Sequence, residues 1–140
     1  EKVEGVMHFA AISLVGESVE VPLDYLNNNV HGARIVLELM YAFDLKHIVS
    51  ISSGDTYCEP ERVPITEDIP TNPESTYGEP KLIMEKMMKW FDQAYGMTFV
   101  ALRYFNVSGS TADGSIGQDH KPASHLVPII LQVALGHRYT

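Results

Sequence analysis

The chain has 140 residues, 45% of them hydrophobic, enough for an ordinary domain with a real core, which excludes disorder as its main state. A formal net charge of −8 and a pI near 5.1, with Lys and Arg scattered along the chain, exclude a phosphate-backbone partner, so no nucleic acid is expected. No apolar run approaches the ~20 residues that cross a bilayer, so no membrane partner is expected either.

The opening residues Glu1-Lys2-Val3-Glu4-Gly5 lack the basic start and apolar middle of a signal peptide. They run straight into a strand-like segment, the abrupt start expected of a cut chain. Val6-Met7-His8-Phe9-Ala10-Ala11 is a short apolar run ending in small residues, which predicts a strand buried on both faces of a parallel sheet. From about Pro22 to Phe43, Leu26, Val30, Ala33, Leu37 and Met40 recur at helical spacing, with Asn27, Asn28 and Asn29 near the beginning. His47 to Ser53 returns to strand character and Gly54-Asp55 breaks it. Strand, helix, strand is the unit of a doubly wound α/β sheet.

Glu59 to Pro73, rich in Pro, Glu and Thr, reads as a surface loop, and it follows the single cysteine, Cys58. One cysteine forms no internal disulfide and fits a reducing compartment, here the cytoplasm. A second helix is expected from near Thr76 or Pro80 to Tyr95, with Leu82, Met87, Trp90 and Ala94 among its apolar positions and Gly96 as its stop. Met97 to Asn106 reads as the next strand. Gly109 to Ser124 is a polar excursion expected over the active face, and His125 to Gly136 resumes a helical pattern.

Tyr77 and Lys81 form a Tyr-x-x-x-Lys pair, and helix residues four apart share a face. A free phenol has a pKa of about 10, too high for a base at neutral pH, but a neighbouring ammonium and a cationic cofactor ring both favour the phenolate. Ser52 and Ser53 end a predicted parallel strand, and ligands of open α/β sheets bind beyond such ends. Strand-end serines also serve as caps and turn formers, and that reading stands beside the functional one. No metal site is read from the residues.

Ser-Ser, Tyr-x-x-x-Lys and Arg103-Tyr104-Phe105-Asn106, in this order, resemble the extended short-chain dehydrogenase/reductase group. His8-Phe9-Ala10-Ala11, Val15-Gly16-Glu17-Ser18, Asn28-Asn29-Val30, Pro64-Ile65-Thr66-Glu67-Asp68, His125-Leu126-Val127-Pro128 and Gln132-Val133-Ala134-Leu135-Gly136 make the chain similar to its UDP-glucose 4-epimerase branch over essentially the whole length. The resemblance implies residues 1–106 as the C-terminal part of a NAD-binding Rossmann-like domain. Residues 107–140 would begin a smaller, nucleotide-sugar-binding region. It also implies interconversion of UDP-glucose and UDP-galactose, in galactose metabolism, by transient oxidation at C4 with bound NAD.

Under that resemblance Ser53, Tyr77 and Lys81 are catalytic: Tyr77 takes the proton of the C4 hydroxyl, Ser53 hydrogen-bonds the reacting oxygen, and Lys81 lowers the tyrosine's pKa and binds the nicotinamide ribose. Phe9, Ala10, Ala11, Ser13, Asn28, Ser52 and Phe105 join Tyr77 and Lys81 in lining NAD. Asn106, His125 and Leu126 join Ser53 and Tyr77 against the UDP-sugar. Read from residue type alone, Phe9 to Ala11 also fit sheet core, Asn28 a helix cap and His125 a satisfied polar residue. His8 has no assigned role. A homodimer is implied through the helices near 22–43 and 80–95.

The chain departs from the family pattern at several points. No glycine-rich phosphate turn follows any strand. Pro80 takes a place usually given to a small polar residue, and a helix starting there would break the stacking of Tyr77 over Lys81. Gly54-Asp55 replaces small uncharged residues, and an anion near Tyr77 would raise its pKa. Cys58 stands where the family has glycine. The rival readings are a nucleotide-sugar dehydratase or decarboxylase, hinted at by Asp55, and a non-catalytic fragment or assembly module lacking the cofactor loop.

Overall fold

The computed structural model describes residues 2–57, 59–60, 62–118 and 122–139, so Cys58 lies outside the described residues. They fall into two compact units, Glu1–Phe105 and Asn106–Thr140.

The first unit is built on three parallel strands, β1 (Val6–His8), β2 (His47–Ser53) and β3 (Thr98–Tyr104), in the order β1-β2-β3. In register, Val6 pairs with Ile48 and Ile48 with Phe99, while Ser53 pairs with Tyr104 at the carboxyl edge. Helix α1 (Val15–Glu20) follows β1, and α2 (Pro22–Tyr25), a π-helical segment (Leu26–His31) and α3 (Gly32–Ala42) then run on as one rod with right-handed helical dihedrals at each junction. A 3-10 turn (Gly54–Thr56) closes β2, and α4 (Gly78–Tyr95) connects to β3.

Leu37 and Met40 of α3 and Met88 of α4 bury Ile48 of β2 together with Met97, and Val6, Phe99 and Ala101 pack against this cluster. Val6, Ile48 and Phe99 are register partners, so both helices lie on the same face of the sheet. Right-handed crossovers that step in one direction across a sheet have this outcome. The opposite face is open: Met7 is 67% exposed and Val100 51%. Burial of the first strand on both faces, expected from its apolar run, is therefore not observed, and the strand stops at His8 rather than Ala11.

The π-helical segment also differs from the expectation that the three asparagines sit near a helix start. They lie inside the rod, and the wider turn leaves Asn29 fully buried beside the chain that leaves β1. Helix α4 keeps Tyr77 at its N-cap with helical dihedrals (φ −93°, ψ −44°), so it does not begin at Pro80. Pro80 falls in the first turn, where N–H groups have no intrahelical partner, and the proline costs no bond. The Ser75 hydroxyl accepts the Gly78 N–H at 2.8 Å, and Gly96 ends the helix in the left-handed region at φ 64°. Leu82, Met84 and Met88 form its buried face, whereas Trp90, expected among the apolar positions, is 68% exposed.

In the second unit, the residues from Asn106 to His125 hold no helix or strand among those described, and α5 (Leu126–Ala134) follows. Among the described residues, no helix is long and apolar enough to cross a membrane.

Candidate active site

Ser53, Tyr77 and Lys81 meet at the carboxyl end of β2. Ser53 is 8% exposed, and its hydroxyl accepts the Asp55 N–H at 3.1 Å as the cap of the 3-10 turn. Capping is thus one of its roles, as the residue type allowed, but the same oxygen lies close enough to the Tyr77 phenol to favour the phenolate. Lys81 is 3% exposed; its Nζ donates to the Ile51 carbonyl oxygen at 2.9 Å and lies 5.7 Å from the centroid of the Tyr77 ring. The four-residue spacing therefore does bring phenol and ammonium together, despite Pro80.

Burial and the Asp55 carboxylate push the Tyr77 phenol above its usual pKa, against the opposing effect of Ser53. Burial pulls the Lys81 ammonium down to about 8. Asp55 thus acts as its charge led one to expect.

Two glycines allow this crowding. A Cβ on Gly78 would stand 2.3 Å from the Asp55 carbonyl oxygen, so α4 approaches the turn only with glycine there. A Cβ on Gly54 would stand 2.5 Å from the Phe105 ring, which places Phe105 directly beside the Ser53 turn.

The other expected cofactor residues follow β1 or lie on the rod. Phe9, Ala10 and Ser13 are exposed and Ala11 is partly so. The main chain between them is held by Asn29, whose Oδ1 accepts the Ile12 N–H at 2.9 Å and whose Nδ2 donates to the Ile12 carbonyl at 3.0 Å. Asn28 is exposed and donates to Asn29 Oδ1 at 3.0 Å. The Tyr25 hydroxyl donates to the Leu14 carbonyl at 2.8 Å, a second anchor of this segment. Ser18 meets Thr76 through a hydroxyl contact of 2.8 Å, joining α1 to the residue before Tyr77. Ser52 is 4% exposed and its hydroxyl donates to Glu85. Asn106, His125 and Leu126 belong to the second unit, where His125 precedes α5 and pairs with Gln118 at 2.8 Å.

Sequence reasoning missed Asn29, Tyr25, Glu85 and His8. His8 Nε2 is buried without a hydrogen-bond partner, and burial and the Lys81 charge hold its imidazole toward the neutral form. A histidine at the end of an apolar strand was the available signal.

All 140 residues match the NAD dependent epimerase/dehydratase family. The UDP-glucose 4-epimerase of Lacticaseibacillus casei is 56% identical over 138 residues, covering 99% of this chain and 42% of the relative's length. That of Streptococcus mutans is 55% identical over 136 residues, covering 97% of this chain and 41% of the relative. Among solved structures, UDP-glucose 4-epimerase from Brucella ovis in complex with NAD superposes with a TM-score of 0.94 at 42% identity, over 98% of this chain and 42% of that one. The enzyme from Bifidobacterium longum in complex with NAD+ and UDP gives 0.92 at 35% identity, over 99% and 42%. The chain spans less than half the length of the relatives it matches. With the parallel sheet and the serine, tyrosine and lysine at its carboxyl edge, these matches establish that the chain belongs to the NAD dependent epimerase/dehydratase family.

Proposed function

We propose that this chain is the central, catalytic segment of a NAD-dependent UDP-glucose 4-epimerase, an isomerase interconverting UDP-glucose and UDP-galactose. The observation that carries the reading is the convergence of Ser53, Tyr77 and Lys81 at the end of β2, with Lys81 Nζ 5.7 Å from the phenol ring. In this reading Tyr77 accepts the proton of the sugar's C4 hydroxyl as C4 is oxidised and gives it back to the C4 oxygen as C4 is reduced, and Ser53 orients the reacting oxygen.

The residues present fit the nicotinamide end of NAD. Lys81 gives one N–H to Ile51 and keeps donors for a ribose hydroxyl, while Phe9 and Ala10 are exposed where the chain leaves β1. Ala11, Ser13, Asn28, Ser52 and Phe105 complete that lining. NAD when bound supplies the hydride acceptor for C4, and its ring charge favours the Tyr77 phenolate. Asn106, His125 and Leu126 are assigned to the UDP-sugar. Residues 1–106 then serve as part of the NAD-binding domain and 107–140 as the start of the substrate region.

A homodimer through the rod near 22–43 and the helix near 80–95 fits the exposed Leu39, Tyr41 and Trp90. The cytoplasm fits the single cysteine. The dehydratase reading gains no support from the relatives reported above.

The test uses the full-length protein containing this segment. Denaturation should release NAD at about one per chain, and the intact protein should convert UDP-galactose to UDP-glucose. A protein that carries no NAD and leaves UDP-galactose unchanged contradicts the proposal.

A further inference from the structure

Successive attachments tie α4 to the ends of β2 and β3. Lys81 Nζ holds the Ile51 carbonyl at 2.9 Å, and Glu85, one helical turn further on, accepts the Ser52 hydroxyl. The same carboxylate is held from β3 by Arg103, Nε to Oε1 at 3.0 Å and Nη2 to Oε2 at 2.6 Å. The Arg103 guanidinium in turn lies 4.7 Å from the centroid of the Tyr57 ring. Tyr77, Lys81 and Glu85 form one row along α4, and they face the consecutive residues Ile51, Ser52 and Ser53.

A partly buried ion pair of this kind adds little net stability, because desolvation and residual solvent screening offset most of its attraction; the best-attested use of such a pair is to fix register. Here the register is that of α4 along β2. A two-point pair between Glu85 and Arg103 fixes where the carboxylate sits, and the Ser52 hydroxyl then fixes the strand end against it. Ser53 is the next residue, so a displacement of Ser52 carries Ser53 away from Tyr77.

We infer that Ser52 and Glu85, locked by Arg103, are positioning residues that set the Ser53 hydroxyl against the Tyr77 phenol. The inference rests on the reading of Ser53 and Tyr77 as the reacting pair. It assigns Ser52 a duty of its side chain distinct from lining the cofactor.

The test reads Tyr77 ionisation by NMR of 13C-labelled tyrosine, with the signal assigned through Tyr77→Phe, and needs neither substrate nor NAD. Ser52→Ala removes the hydroxyl without changing charge. At a pH of about 10.5, its ionised fraction of Tyr77 should fall about threefold to tenfold, because the phenolate loses its Ser53 partner and one pKa unit is a factor of ten. Ser52→Thr, which keeps the hydroxyl, should restore the parent fraction. Arg103→Lys keeps the charge but loses the two-point pair, and should shift the fraction in the same direction by about twofold. Met88→Ala weakens the core without touching this row and should leave it unchanged.

A parent-like titration in both Ser52→Ala and Arg103→Lys overturns the inference. So does an equal shift in Met88→Ala, which would mean that any loss of stability moves Tyr77. Absence of epimerase activity would sink the functional reading alone, since the titration is independent of turnover.

Discussion

The Lys81 ammonium donates to the carbonyl of Ile51 at 2.9 Å, so the ammonium 5.7 Å from the Tyr77 ring is anchored to the strand that ends in Ser53. The lysine is almost fully buried, and burial alone lowers its pKa to about 8. In the unfolded chain it would titrate near its ordinary value of about 10.4. Between those values the unfolded state binds a proton that the folded state does not, so stability rises with pH across this window. Below about 8 both states are protonated and the contribution is flat. Lys81→Met should remove the rise. Urea denaturation from pH 8 to 10 should show the parent gaining at most about 1.4 kcal/mol per pH unit relative to the variant; parallel curves contradict the assignment.

Asp55 raises the pKa of Tyr77 by its charge. Removing that charge favours the phenolate, so Asp55→Asn should move the acid limb of the kcat–pH profile of the full-length enzyme to lower pH. A shift of up to about one unit, and a gain of up to about tenfold on the acid side, is expected. A limb that moves upward contradicts the role given to this carboxylate.

Much of this arrangement was legible in the sequence. Ile48, Leu37, Met40 and Leu82 keep the periods of strand and helix, and His47–Ser53 and Gly96 fall where pattern and turn chemistry put them. Tyr77 and Lys81 were legible through their spacing. Helix α1 was not, because Val15, Gly16 and Val19 are poor helix formers and the segment is held by Ser18 bonding to Val15 and Thr76. The buried face of Asn29 was hidden as well: a π-helical turn shifts the phase of the pattern, and a polar residue inside a rod reads as solvent-facing. The pairing of Glu85 with Arg103 was not legible either, since residues 18 apart in sequence meet only through the fold.

Asn29 satisfies both main-chain groups of Ile12. Asn29→Ala leaves the partly buried N–H and C=O of Ile12 without this partner and should cost about 1–2 kcal/mol in urea denaturation. In the full-length protein it should also weaken NAD retention, because the Phe9 to Ser13 segment loses its anchor. A variant of parental stability and full NAD content contradicts this.

Gly78 and Gly54 should respond differently to alanine. At Gly78 the new Cβ meets the Asp55 main chain, which has nowhere to go, whereas at Gly54 it meets the Phe105 ring, which can turn aside. Gly78→Ala should cost about 1–3 kcal/mol, and Gly54→Ala clearly less. Thermal melts of the two variants check the order, and the reverse order contradicts the crowding described between α4 and the turn.

The most direct test of the catalytic assignment is turnover of UDP-galactose by the full-length protein carrying Tyr77→Phe, with far-ultraviolet circular dichroism and bound NAD measured on the same sample. Loss of the phenol should lower kcat by about 100-fold to 10,000-fold, the usual range for a positioned acid–base group, with fold and NAD content unchanged. A variant that folds, holds NAD and turns over like its parent would contradict the account.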